Sequence, residues 1–211
     1  WHKNSNKQKE NLMSQWIVTP DKFLTEEESK RLRRYCEDVA IIAKSKGNQM
    51  AVRNRLIIEM ALGTGLRVSE LANLKVEEIH IRKGQNSLTV NNGKGGKDRV
   101  VGLNNKLKVL VQEYLDYRNS TSSYIFPSER GDKMTRFGIG RVFKTMAARA
   151  GLDSKHSIHT LRHTYATNLY KASGYNLRMV QKQLGHSSIT TTTVYSDVLN
   201  QDLTDALENL E

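Results

Sequence analysis

His159, Arg162 and His163 fall in one run, His159-Thr160-Leu161-Arg162-His163, and a second run, Gly185-His186, is followed nine residues later by Tyr195. A histidine and an arginine three apart share one helix face, so both can touch a single phosphate. A tyrosine placed after such a phosphate-gripping cluster can attack a DNA backbone and hold the broken end. The phenol needs help to do so. Its ordinary pKa is about 10, so near pH 7 only about one in 10³ is ionised, a handicap of roughly 4 kcal/mol.

Two further groups stand far upstream. Arg67 follows Gly63-Thr64-Gly65-Leu66 at the expected start of a helix, with Glu70 one turn on. A helix N-terminus attracts anions through its free N–H groups, and an arginine adds a fork matching two phosphate oxygens. Glu70 is placed to hold that guanidinium. The plainer reading is a surface Arg–Glu helix pair. Lys94 lies in the glycine-rich loop Gly93-Lys94-Gly95-Gly96-Lys97-Asp98-Arg99. Glycines let a backbone approach another chain closely, and a lysine there can reach a phosphate or donate a proton. Lys97 and Arg99 compete for that role and are expected to contact DNA; the plain alternative is an exposed hairpin with solubilising charge.

Other residues invite other chemistry. His159 and His163, one turn apart, have the spacing of a zinc pair, but Thr160 stands where the zinc-protease motif has glutamate, and cationic Arg162 is alongside. His163 therefore reads as a packed or hydrogen-bonded histidine. His186 follows a Leu184-Gly185 helix stop, where a cap or core donor is the ordinary role. Thr190 to Val194 are five consecutive β-branched residues, poor helix formers, directly before Tyr195. Tyr165 and Tyr170 read as packing residues.

These groups need a scaffold. Residues 1–20 are mostly polar and read as a linker or arm; the compact domain is expected over 21–201, and 202–211 as a tail helix with Leu203, Leu207 and Leu210 at helical spacing. Within the domain the patterning predicts helices over about 26–45, 49–62, 68–73, 105–118, 135–150, 159–172, 176–184 and 188–195. Short strands are predicted over 79–82, 87–90 and 99–103. The fold class is mainly α with a small antiparallel β-sheet. The formal charge is +11, from 33 Lys and Arg against 22 Asp and Glu, and implies a polyanionic partner. The longest apolar stretch, Leu56 to Leu62, contains Glu59 and is too short to span a bilayer. One cysteine, Cys36, excludes an internal disulfide framework and fits a reducing cytoplasm. Trp1 in first place points to a processed or excised piece.

In this order and local context, the residues resemble the tyrosine recombinases, the phage integrase family, whose pattern is Arg, Lys, His-x-x-Arg, His, Tyr. Arg67 fits in Gly-Thr-Gly-Leu-Arg-Val-Ser-Glu-Leu and Lys94 in Gly-Lys-Gly-Gly-Lys-Asp-Arg. His159 and Arg162 fit in His-Thr-Leu-Arg-His-Thr-Tyr, His186 in Leu-Gly-His-Ser-Ser-Ile, and Tyr195 closes the set. The resemblance implies site-specific cutting and rejoining of double-stranded DNA, with no metal or cofactor, through a covalent 3′-phosphotyrosyl intermediate. Tyr195 is then the nucleophile and His159 the base. Arg67 and Arg162 clamp the phosphate, Lys94 protonates the leaving 5′-oxygen, and His186 supports the phosphate. It further implies a homotetramer on DNA, DNA-bending accessory proteins, and a nucleoid-associated bacterial protein of the cytoplasm. The family's N-terminal core-binding domain is missing from the sequence. The tail either docks in a neighbouring protomer or folds back on its own core. A mobile-element integrase, a Xer-type chromosome dimer resolvase and a DNA-binding module without catalysis are the three functions to separate; a type IB topoisomerase fits the local boxes less well.

Overall fold

The computed structural model describes residues 22–91 and 98–185. Helix α1 (Glu26–Ser45) starts where Thr25 predicts. The Glu28 amide donates to Thr25 Oγ1 at 3.1 Å and the Thr25 amide to Glu28 Oε2 at 2.9 Å, a reciprocal cap that satisfies two otherwise orphaned N–H groups. Helix α2 (Gln49–Thr64) is capped by Asn48, whose Oδ1 accepts from Met50 and Ala51. Every residue from Leu56 to Leu62 is buried in α2. It is the central helix, packed against α1 and four later helices. Burying Glu59 within that run requires a counter-charge, and Arg33 of α1 donates to it.

Gly65 stops α2 in the left-handed conformation, with φ of +62°. The short α3 (Val68–Asn73) and a 3₁₀ turn (Val76–Glu78) lead into the sheet. Strands β1 (Ile79–His80), β2 (Ser87–Val90) and β3 (Arg99–Gly102) pair antiparallel in that order. Leu88 pairs with Ile79 on one side and Val101 on the other, and Val90 pairs with Arg99. Leu88, Val90 and Val101 face the core, as strand alternation requires. β1 is shorter than predicted, because the chain turns at once: the Gln85 amide donates to the Arg82 carbonyl at 2.9 Å.

Helices α4 (Asn105–Tyr117), α5 (Arg136–Arg149), α6 (Ile158–Ala172) and α7 (Leu177–Leu184) complete the described fold. Their bounds match the predicted ones to within a residue. Between α4 and α5 the chain has no regular element but crosses the core, burying Ile125 and Phe126; the Ile125 amide donates to Leu74 O at 2.9 Å. α6 packs on α2, and α7 packs on both α6 and β3. That last pair of contacts brings chain-distant segments together around the end of α7. Among the described residues no helix is long and apolar enough to cross a membrane.

Candidate active site

Three arginines from three elements converge on the C-terminus of α7. Arg162 of α6 is buried, 8% exposed. It donates from Nη2 to the Leu184 carbonyl at 2.9 Å and from Nη1 to the Gly65 carbonyl. Arg67, the residue before α3, donates from Nη2 to the Gly185 carbonyl at 3.4 Å. Arg99, first residue of β3, donates from Nε to the Gln183 carbonyl at 3.3 Å. The last carbonyls of a helix have no partner within it and carry the negative end of its dipole, so cations are favoured there. Three successive carbonyls thus each receive one guanidinium.

Glu70 ties two of those arginines together. Its carboxylate accepts Arg99 in fork-to-fork fashion, at 2.9 Å from Nη1 and 2.8 Å from Nη2. It also accepts Arg67 Nη1 at 2.8 Å and the Arg67 amide at 2.7 Å. Burial raises the Glu70 pKa, but the Arg99 hydrogen bonds, the Arg67 amide and the two positive charges outweigh it and bring it down to about 2. Glu70 is therefore ionised at any physiological pH. The expected Arg67–Glu70 pair is present, but it is one edge of a network rather than an isolated surface pair.

Glycine is needed at two joints. A Cβ on Gly65 would stand 2.4 Å from Tyr165 Cδ1 and 2.8 Å from Leu184 Cδ2. Gly185, with φ of +65°, would place a Cβ 2.6 Å from Arg99 Cδ. Both positions combine a left-handed backbone with close approach by a neighbour, which only glycine permits. Tyr165 and Tyr170 pack with Ala166, Val180 and Leu184 in a small apolar cluster, the packing role expected of them.

His159 is exposed on the first turn of α6, one turn before Arg162. That turn is fixed by the Ser157 amide, which donates to Thr160 Oγ1 at 3.0 Å. His163 is half-buried; burial first, then the positive charges of Arg162, His159 and Lys22, push its pKa down to about 4. It is thus a neutral, packed imidazole near pH 7.

The structure therefore gathers Arg67, Glu70, Arg99 and Arg162 in one network and sets His159 on the Arg162 helix. Lys94, Lys97, His186, Tyr195 and the 202–211 tail lie outside the described residues, as do the arm over 1–20 and the helix expected over 188–195. Arg99, expected to contact DNA, donates to the Glu70 carboxylate, its side chain 11% exposed. Sequence reading missed Gln183, whose Oε1 accepts from the Gly102 amide at 3.2 Å, and the carbonyls that the arginines hold. A lone glutamine on a helix and a backbone oxygen leave no trace in a residue pattern.

The family model described as the phage integrase family matches residues 22–202. The tyrosine recombinase XerA of Pyrococcus furiosus is 39% identical over 193 residues, covering 90% of this chain and 62% of that protein. Tyrosine recombinase XerD of Oceanobacillus iheyensis is 34% identical over 168 residues, covering 76% and 55%. Among solved structures, XerH site-specific recombinase bound to palindromic difH substrate, a post-cleavage complex, is similar with a TM-score of 0.75. It is 28% identical and the match covers 90% of this chain and 53% of that one. The chain thus spans about three fifths or less of the length of these relatives.

Proposed function

Because the chain belongs to the phage integrase family, we propose that it cuts and rejoins DNA at specific sites through a covalent 3′-phosphotyrosyl intermediate. The observation that carries this reading is the attachment of Arg67 and Arg162 to the adjacent carbonyls of Gly185 and Leu184. Two guanidiniums from distant parts of the chain are thereby held at the segment that leads into His186.

The chemistry follows from the residue types. Tyr195 Oη attacks the scissile phosphorus, and the bond from phosphorus to the 5′-oxygen breaks. His159 takes the phenolic proton, and Lys94 gives one to the departing 5′-oxygen. Arg67 and Arg162 face the charge that grows on the non-bridging oxygens. Their fixed anchoring means they need not reorganise during the reaction, which is where electrostatic catalysis gains most. One phosphate ester replaces another, so the bond is conserved and neither metal nor nucleotide is consumed. A 5′-hydroxyl from another strand reverses the step. Two rounds on two pairs of strands recombine two duplexes, the work of four protomers on DNA, with accessory proteins to bend it. The basic surface charge supports this partner.

The biological setting is that of a mobile-element integrase. A Xer-type resolvase of chromosome dimers is the second reading, favoured by the relatives named XerA and XerD. The two differ in where the target DNA lies, on an element end or on the host chromosome.

The test is incubation with a nicked suicide substrate, followed by a denaturing gel. A covalent protein–DNA adduct is expected, lost in Tyr195→Phe while DNA binding remains. Binding without an adduct would instead assign a DNA-binding module.

A further inference from the structure

Arg99 is a half-buried charge that the mechanism above does not use. Its guanidinium is engaged on three sides. The two terminal nitrogens grip Glu70, Nε donates to the Gln183 carbonyl, and Cδ, Nε and Cζ lie close to Gly185, where a Cβ would stand only 2.6 Å from Cδ. Gln183 answers from α7, accepting the Gly102 amide at the far end of β3. Strand and helix are thus pinned at both ends of a four-residue strand. All three nitrogens of the Arg99 guanidinium already donate to acceptors within the protein.

We propose that Arg99 and Gln183 form a joint between β3 and α7 that positions Arg67, through Glu70 and the Gly185 carbonyl, for phosphate binding. The proposal rests on the recombinase reading above. Arg99 is a positioning residue: it touches neither DNA nor the reacting atoms. Glu70 is the relay, since the same carboxylate oxygen, Oε1, accepts both Arg67 Nη1 and Arg99 Nη1. Without Arg99, Glu70 would have one partner and freedom to swing, and the last turn of α7 would lose one of its three guanidiniums.

Arg99→Lys separates positioning from charge. Lysine keeps the positive charge that a DNA contact would need, but it cannot grip a carboxylate with two nitrogens and a carbonyl with a third. The experiment measures adduct formation by the whole chain at saturating suicide substrate, together with the Kd for that DNA. Arg99→Lys is expected to slow cleavage by about 10- to 100-fold, the scale of a misplaced oxyanion donor, with Kd within about threefold of the parent. A second substrate carries a methylphosphonate at the scissile position. It lacks the negative charge that Arg67 neutralises, so the gap between variant and parent should narrow on it.

Cleavage as fast as the parent would overturn the proposal. So would an equal gap on both substrates, which marks a general structural fault, or a loss confined to Kd, which marks a DNA contact. Should Arg99→Lys fail to fold, Gln183→Leu at a half-buried position breaks the same joint and is expected to show a smaller loss with the same narrowing. If the parent chain forms no adduct, the recombinase reading fails. The joint is then judged by hydrogen exchange in the last turn of α7, where unchanged protection in Arg99→Lys rejects it.

Discussion

Arg162 donates to the Leu184 carbonyl at 2.9 Å, so the arginine proposed to clamp the phosphate and the helix leading to His186 are one hydrogen-bonded unit. The same guanidinium holds Gly65, 97 residues away in sequence. It therefore joins the ends of α2 and α7 before any DNA arrives. With the phosphate role proposed for it, this arginine would serve folding and chemistry at once, and the two can be separated by measurement.

Arg162→Lys should cost both. Lysine keeps the charge but cannot reach two carbonyls in different directions. Losing charge-assisted bonds to buried carbonyls is worth roughly 3 kcal/mol, so the urea midpoint should fall. Cleavage at saturating DNA should drop by about 10²–10³-fold. A variant that loses cleavage with an unchanged midpoint would show that the two carbonyl bonds contribute nothing to the fold.

Gly65→Ala and Gly47→Ala form a matched pair. Both glycines are left-handed, at φ +62° and +71°, so each alanine pays about 1–2 kcal/mol for the backbone alone. At Gly47 nothing lies within 4 Å of the added methyl, whereas at Gly65 it would meet Tyr165 and Leu184. Gly65→Ala should therefore destabilise by about 2 kcal/mol or more beyond Gly47→Ala, since relief requires shifting packed side chains. Equal melting temperatures for the two variants would mean that α6 and α7 do not close on α2 as described.

Much of this arrangement was legible beforehand, and the reasons are local. Thr25 with Glu28, Asn48 and Gly65 fix helix ends through their own caps, so the boundaries of α1 and α2 follow from residues a few positions apart. Arg67 and Glu70 are one helical turn apart, which made their pairing readable too. Arg99 was not readable in the same way. It stands beside a Gly-Lys loop, and the carboxylate it grips is 29 residues away on another element. The clamp on α7 was hidden for a different reason: its acceptors are main-chain oxygens, and every residue has one. β1 ended early because the turn at Arg82–Gln85 closes the hairpin before the apolar alternation runs out.

Acid should destabilise the protein across two pH windows. His163 has its pKa depressed from 6.5 to about 4, so its contribution is complete above the unfolded value and is lost as pH falls from 6.5 through 4. Glu70 is depressed from 4.5 to about 2, so its contribution is complete above 4.5 and lost on the way down to 2, on the order of 3 kcal/mol for a side chain so deeply paired. Urea midpoints measured from pH 7 to pH 2.5 should decline across both windows. His163→Gln should flatten the upper one and Glu70→Gln the lower. A decline unaffected by either substitution would place the titrating groups elsewhere.

His159 offers the reverse of Arg162, a residue whose loss should touch rate alone. It is exposed on the first turn of α6, and that turn is held by Ser157 and Thr160 without it. His159→Ala should leave the urea midpoint within about 0.5 kcal/mol of the parent, as exposed positions usually do. Adduct formation should fall by about 10²–10⁴-fold if the imidazole takes the Tyr195 proton. A variant that keeps the parent's cleavage rate would assign the base to another group.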